Sequence, residues 1–175
     1  MNIKESLLSG HSKARTMKIV NYVGDDKKRF RELITAFLEG EYRLTQRAAW
    51  PLSYCGTAHP KWILSYTQKL LNKLREPNIH NAVKRNILRV WQNCDLHEKY
   101  AGEIYDVCNG YLHSLEEPIA IRVFAMSVMA NLCKKFPELS PELKMMVEDM
   151  IPFGGPAIRS RGKKVLKELE KQKAK

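Results

Sequence analysis

Arginines recur along the chain at an almost constant interval, and this period limits the possible folds more than any other feature. Successive members are 38, 37 and 37 residues apart: Arg47, Arg85, Arg122 and Arg159. The segments HPKW, beginning at His59, and HEKY, beginning at His97, are 38 residues apart and carry an aromatic residue at the same position. Such a period is typical of a stacked array of helix pairs, because a single pair cannot bury its own apolar face.

Apolar residues follow helical spacing in nearly every segment. The clearest stripes repeat at intervals of three and four residues: Phe30, Leu33, Ile34, Phe37 and Leu38; Ile63, Tyr66, Leu70, Leu71 and Leu74; Leu143, Met146, Val147, Met150 and Ile151. No segment sustains the alternation of a strand. Proline and glycine interrupt the stripes at five places: 55–60, 76–78, 116–118, 136–137 and 154–156. The sequence therefore predicts an all-α fold of helices joined by short turns, each antiparallel to the one before.

Several helix starts carry capping signals. Asp25 and Asp26 lie before the stripe that begins at Phe30 and give that helix an acidic start. Ser140 and Pro141 are predicted to begin another helix, since Ser caps well and Pro suits the first turn. His59 and His97 are predicted to be turn or capping residues.

Together the stripes and the interruptions place four helix pairs along the chain: near 12–40, 43–75, 79–115 and 119–152. A short helix precedes them, and a last helix at 157–171 is predicted to cap the stack. At 175 residues, the chain is long enough for one domain with a real core and too short for two comfortable ones. We therefore expect a single α-solenoid domain over 1–175.

Two segments carry a resemblance to a known family. IRVFA (121–125) and IRSRG (158–162) each begin with Ile-Arg and place a small residue three positions after the arginine. In this they resemble HEAT and armadillo-type repeats, whereas QRAAW and KRNIL share only the arginine. The resemblance covers most of residues 40–171. It implies a right-handed α–α superhelix of about four pairs plus a cap, with a concave face that binds a partner, and it implies no chemistry.

A more distant similarity is to the HEAT-like DNA glycosylases of alkylation repair. These enzymes have stacked helices, a basic balance and a tryptophan-lined concave cleft with an acidic residue. Trp91 and Asp95 are the candidate pieces of such a cleft in this chain. The chain is shorter than those enzymes, and no local motif transfers a catalytic residue to a numbered position. If the chain is an enzyme, this similarity implies glycosylase activity on DNA.

The net charge of +11 is unevenly distributed along the sequence. Residues 157–175 carry +6 of it, and residues 78–156 carry −2. The C-terminal segment therefore supplies candidate binding residues for nucleic acid or an acidic protein surface: Arg159, Arg161, Lys163 and Lys164. The alternative is the polar outer face of a capping helix, with Val165, Leu166 and Leu169 inside. Both interpretations are compatible.

The repeated arginines and the tryptophans each allow two interpretations. Arg47, Arg85 and Arg122 form either a ladder facing a phosphate backbone or a set of structural residues that pair in the turns between repeats. The repeat period alone explains their spacing, so the structural interpretation is favoured. The tryptophans are either base-stacking platforms or core residues of a thin solenoid, and core packing is favoured: Trp50, Trp62 and Trp91.

No pattern of catalytic, metal-binding or cofactor-binding residues is found in the sequence. The histidines form no HExxH arrangement, and nucleophile-elbow and phosphate-loop motifs are missing. The cysteines lie far apart without a CxxC pair and are expected to be small buried apolar residues. We therefore expect no catalytic residue, no metal site and no cofactor. The same cysteine usage, with no secretory signal and no apolar run of membrane-spanning length, predicts a cytoplasmic protein.

These observations favour a non-catalytic binding or scaffolding module with a protein or peptide partner. The second helices of the pairs are expected to line the concave face, through the exposed residues of 61–73, 99–111 and 144–149. Their mixed charges argue against a continuous phosphate-binding track, so nucleic acid is the alternative partner. We expect no association with membranes and a monomer or weak dimer.

Overall fold

A computed structural model describes residues 1–173, which form helices and connecting turns and contain no strand. The α-helices in this range are α1 Ile3–Leu8, α2 Lys13–Val23, α3 Lys27–Glu39, α4 Tyr42–Ala58, α5 Pro60–Leu64, α6 Thr67–Leu74, α7 Asn81–Trp91, α8 Ala101–His113, α9 Ile119–Cys133, α10 Ser140–Met150 and α11 Pro156–Lys173. Short 3₁₀ turns, Glu98–Tyr100 and Pro137–Leu139, precede α8 and α10. The all-α prediction is confirmed.

The helices belong to two compact units, Met1–Val90 and the chain from Trp91 onward. The predicted ranges 12–40, 79–115 and 119–152 each contain two helices, namely α2 and α3, α7 and α8, and α9 and α10, and α11 lies where the cap was expected. The arrangement of all pairs in one domain stays a prediction.

In the first unit, α4 is the central helix and packs against α1, α2 and α3. The apolar stripe of α3 is buried as its spacing predicted, and Leu33, Ile34 and Phe37 have no exposed surface. Each such side chain contributes about 1.5–3 kcal/mol when it is removed from water. Asp26 caps α3, because its Oδ1 accepts hydrogen bonds from the Lys28 and Arg29 amides at 2.8 and 3.2 Å.

The interruption predicted at 55–60 lies at the end of that range, since α4 continues to Ala58. Gly56 is buried inside this helix, and a Cβ at that position would lie 3.3 Å from Ile63 Cγ1 and 3.4 Å from Val90 Cγ1. The glycine therefore allows close packing of neighbouring helices and does not end α4. The helix ends at Ala58, His59 is its C-cap, and α5 starts at Pro60.

The second helix of the range 43–75 is divided into α5 and α6, which the apolar spacing did not reveal. Ser65 Oγ donates to Trp62 O at 2.7 Å, and Thr67 Oγ1 donates to Leu64 O at 2.7 Å. Hydroxyl side chains that bond to nearby carbonyls compete with the helical backbone. The division therefore lies where two such residues flank Tyr66.

In the second unit, α9 is the central helix and packs against α8, α10 and α11. Its residues 125–130 are all buried, as expected for a helix covered on several sides. In α11, Val165 and Leu169 are buried and Leu166 is half-buried, close to the predicted interior face. Ser140 does not cap α10 as predicted. It is the first residue of the helix, and no side-chain bond caps the preceding Leu139 position.

Candidate functional site

The repeat arginines differ in their contacts. Arg47 Nη1 donates to Leu7 O at 3.1 Å and to Leu8 O at 2.6 Å, at the end of α1. Arg122 Nε donates to Leu112 O at 3.0 Å, near the end of α8. The last carbonyls of a helix have no intrahelical partner, and a cation there also opposes the negative end of the helix dipole. Both half-buried arginines thus contact backbone at the C-terminus of an earlier helix.

Arg85 and Arg159 occupy the same positions of the repeat but are exposed. Within residues 1–173, neither side chain forms a hydrogen bond or an ion pair. The period in sequence therefore does not correspond to a single environment. The structural role assigned to the arginines stays a prediction, and it is best supported at Arg47 and Arg122.

Two lysines form similar contacts that sequence reasoning missed. Lys73 Nζ donates to Leu38 O at 3.0 Å and lies 2.9 Å from Glu76 Oε2. Lys135 Nζ donates to Leu96 O at 2.9 Å and also pairs with Asp95. Each lysine reaches a carbonyl about one repeat earlier in the sequence. The sequence signal for these contacts is weak, because it consists only of a lysine near the end of a helix with a glutamate three residues later.

Two further polar side chains connect residues about one repeat apart. Asn131 Nδ2 donates to Trp91 O at 3.3 Å and to Cys94 O at 2.7 Å, at the end of α7. His59 Nε2 lies 3.1 Å from Gly24 O, in the turn between α2 and α3. His59 therefore lies in a turn, as one of its two predicted roles required, but its side chain contacts another turn and does not cap α5. His97 does cap, because its Nδ1 accepts from the Lys99 amide at 3.2 Å.

The candidate binding residues of the cap lie on the outer side of α11. Arg159, Lys163 and Lys164 are exposed and Arg161 is half-buried. Ile158, Val165 and Leu169 face inward from the same helix. This arrangement fits the polar face of a terminal helix and also leaves the cations accessible. Their binding role stays a prediction.

The tryptophans have different surroundings. Trp91 has no exposed surface, whereas Trp50 and Trp62 are half-buried. Trp62 stacks on the ring of His59 at a centroid distance of 3.9 Å and contacts Phe30 at 5.4 Å. The core interpretation therefore holds fully for Trp91 and partly for the other two.

Trp91 and Asp95 do not form the cleft that the glycosylase similarity implies. The Trp91 ring is enclosed in the core, so a base has no surface on which to stack. Asp95 is largely exposed and pairs with Lys135. A catalytic carboxylate beside an aromatic clamp needs both groups at one opening.

The four cysteines are buried and free, as expected. Burial raises the pKa of Cys55 to about 12 and the pKa values of Cys94 and Cys133 to about 11. Burial also raises the pKa of Cys108. Because the thiolate is the reactive form, these residues are poor nucleophiles at neutral pH. In the part of the chain that the structure describes, no group of three or more His, Cys, Asp or Glu side chains is placed to hold a metal ion.

One side of the second unit is acidic. We call it the acidic face and define it by exposed residues on α8 and α10: Gly102, Asp106, Gly110, Glu142, Met145 and Asp149. Tyr105 OH donates to Glu142 Oε2 at 3.1 Å and joins the two helices. A Cβ at either glycine would meet no atom within 4 Å. Burial and the Glu142 carboxylate both raise the pKa of the Tyr105 hydroxyl, which therefore remains a donor at neutral pH.

The formal charge divides unevenly between the two units. Residues 1–90 contain 17 Lys and Arg against 7 Asp and Glu, whereas residues 91–156 contain 5 against 10. The first unit therefore carries a net +10, and the second unit is acidic before its basic last helix.

A cavity of about 720 Å³ in the first unit lies between α1 and α3 and is lined by several of the lysines and arginines of that unit.

The fold defines the class of protein: successive α-helices joined by short turns, with side chains that bond to backbone carbonyls about one repeat length earlier in the chain. A family model for the HEAT repeat domain matches residues 3–169. The chain therefore belongs to the HEAT repeat family, as the arginine motifs suggested. Comparison with curated proteins and with solved structures found no match, so the similarity to glycosylases gains no support there. In residues 1–173, no helix is long and apolar enough to cross a membrane.

Proposed function

We propose that this HEAT repeat protein is a non-catalytic binding module whose acidic face holds a protein or peptide partner. The observation that carries the proposal is the composition of that face. Met145, which is 61% exposed, lies between Glu142 and Asp149 on α10. An exposed apolar side chain with charged neighbours is a typical anchor for a partner chain.

The shape of α8 supports the same partner. Gly102, Asp106 and Gly110 follow one another at four-residue intervals, so they share one side of the helix. Small residues there leave room for another backbone to approach closely. A basic amphipathic helix matches this surface, since its apolar side chains cover Met145 and its cations meet the carboxylates.

The experiment compares two labelled amphipathic peptides by fluorescence anisotropy, one built from Lys and Leu and one with every Lys replaced by Glu. We expect the basic peptide to bind and the acidic peptide not to bind. Asp106→Lys combined with Asp149→Lys is expected to weaken binding at least about tenfold, because two attractive pairs become repulsive.

The matched control is Glu98→Lys combined with Glu138→Lys. It changes the net charge equally at exposed residues outside the acidic face. We expect this control to keep the affinity within about threefold. Equal loss in both double variants would show general attraction and contradict the proposed surface.

A second candidate function is nucleic-acid binding by the first unit, and its net charge of +10 favours it. Anisotropy of labelled double-stranded DNA, single-stranded DNA and RNA tests it at about 50 and 200 mM salt, a range over which phosphate contacts weaken strongly. Sub-micromolar binding at the higher salt would rank nucleic acid above a protein partner. Binding that vanishes there would leave the proposed order unchanged.

A further inference from the structure

The cavity between α1 and α3 has the charge and size of a ligand site. Its volume is about 720 Å³, within the range of about 300–1,000 Å³ that is usual for small-molecule sites. Its cationic lining comes from two helices, with Lys4 on α1 and Lys28 and Arg31 on α3. Glu32 is the acidic residue of the lining, and the uncharged side chains of the wall are Met1, Asn2, Ile3 and Thr35.

Lys28 is attracted to the nearby Asp26 carboxylate, whereas Lys4 and Arg31 have no charged partner in residues 1–173. All three cations are exposed, and in residues 1–173 no hydrogen bond or ion pair engages the side chain of Lys4, Lys28 or Arg31. Lys28 and Arg31 are three residues apart and therefore lie on the same side of α3. Like charges held together on one side of a cavity repel each other, and a bound anion would remove that repulsion.

The lining also limits the kind of anion. The planar guanidinium of Arg31 matches two oxygens of a phosphate, and the lysines add point charges. Glu32 disfavours a purely anionic ligand but accepts hydrogen bonds from hydroxyl groups, and Thr35 both donates and accepts. Met1 offers an apolar surface. A phosphate attached to a hydroxyl-bearing group fits this combination better than an inorganic anion does.

We propose that the α1–α3 cavity binds an organic phosphate of about nucleotide size, with the phosphate at Lys4, Lys28 and Arg31 and the sugar hydroxyls at Glu32 and Thr35. This site shares no residue with the acidic face, because all its residues belong to the first unit. Its presence does not depend on the identity of the protein partner.

Isothermal titration calorimetry with ADP, ribose 5-phosphate, pyrophosphate and adenosine tests the proposal. We expect ADP to bind with a dissociation constant on the order of 100 µM. Ribose 5-phosphate is expected to bind more tightly than pyrophosphate, and adenosine not to bind measurably. ADP and ribose 5-phosphate of similar affinity would identify the sugar phosphate as the recognised part, whereas a clear preference for ADP would include the base.

Lys28→Gln combined with Arg31→Gln is expected to weaken ADP binding at least tenfold. The matched control is Lys18→Gln combined with Arg43→Gln, which removes the same charge from exposed sites on α2 and α4 of the first unit. We expect the control to change the affinity less than threefold. Equal weakening in both variants, pyrophosphate as the tightest ligand, or no heat with ADP at millimolar concentration would each overturn the proposal.

Discussion

Replacement of Lys73 by Met tests how neighbouring repeats are held together. Lys73 is only 8% exposed, and its Nζ donates to Leu38 O at 3.0 Å and pairs with Glu76 Oε2 at 2.9 Å. Met is also long, unbranched and flexible, so the packing of the stem is largely kept while the cation and its bonds are lost. The substitution therefore isolates the polar contribution.

Opposing free energies determine the result. Without Lys73, the Leu38 carbonyl at the end of α3 loses its partner, which costs about 1–3 kcal/mol. The Glu76 side chain is 48% exposed, so solvent screens the ion pair and limits it to about 1 kcal/mol or less. Removal of a buried charge also relieves a desolvation cost, which acts in the opposite direction. We expect a net loss of about 2 kcal/mol in the free energy of unfolding.

Urea unfolding followed by circular dichroism measures this loss as a lower midpoint with an unchanged slope. Glu76→Gln is expected to cost less than half as much, because only the screened pair is lost. Lys69→Met serves as the control, since Lys69 is an exposed lysine of the same helix and should stay within about 0.5 kcal/mol of the wild type. A Lys73→Met protein as stable as the wild type would refute the reasoning, because desolvation would then outweigh the bonds.

Three further predictions use unfolding measurements. Arg122→Met should lower the free energy of unfolding by about 1 kcal/mol, because Leu112 O loses its donor. Arg85→Met should stay within about 0.5 kcal/mol of the wild type, because Arg85 is exposed, and equal effects of the two substitutions would contradict their different environments. Gly56→Ala should destabilise the protein by about 1 kcal/mol, because the new Cβ would crowd Ile63 and Val90. Gly110→Ala should stabilise it by about 0.5–1 kcal/mol, because no atom lies within 4 Å of the new Cβ, and thermal unfolding shows whether the two changes have these opposite signs. The urea midpoint should be constant near neutral pH and fall above about pH 9, because the thiols of the unfolded chain ionise there. In the folded protein the pKa values of Cys55, Cys94 and Cys133 are about 11–12, so a flat midpoint up to pH 11 would contradict their burial.

The helical content was predictable because it depends on local spacing. The stripe from Phe30 to Phe37 appears in α3 as expected, and of the two acidic residues at its start Asp26 caps the helix. The errors arose where local signals have two meanings. Gly56 has the composition of a turn but is buried in α4 for close packing, and Ser140 has the composition of a cap but begins α10.

The candidate surfaces were less predictable, because exposure and charge depend on which segments fold together. The sequence places +6 of the net +11 in residues 157–175 and draws attention to that segment. The two compact units divide the charge at Val90 and give the first unit +10. The cavity at Lys4, Lys28 and Arg31 was missed because α1 and α3 are about 25 residues apart, and no motif joins them.

By itself, the sequence determined the helices, the period of 37 to 38 residues and membership in the HEAT repeat family. These properties depend on apolar spacing and on a repeated motif, which neighbouring residues specify. Only the tertiary structure decided which members of a repeated set are buried and bonded. Arg122 and Arg85 look alike in sequence, as do Lys73 and Lys69, yet one of each pair reaches a carbonyl of another helix and the other points to solvent. The physical reason is that a helix end leaves unpaired carbonyls, and packing determines which cation can reach them.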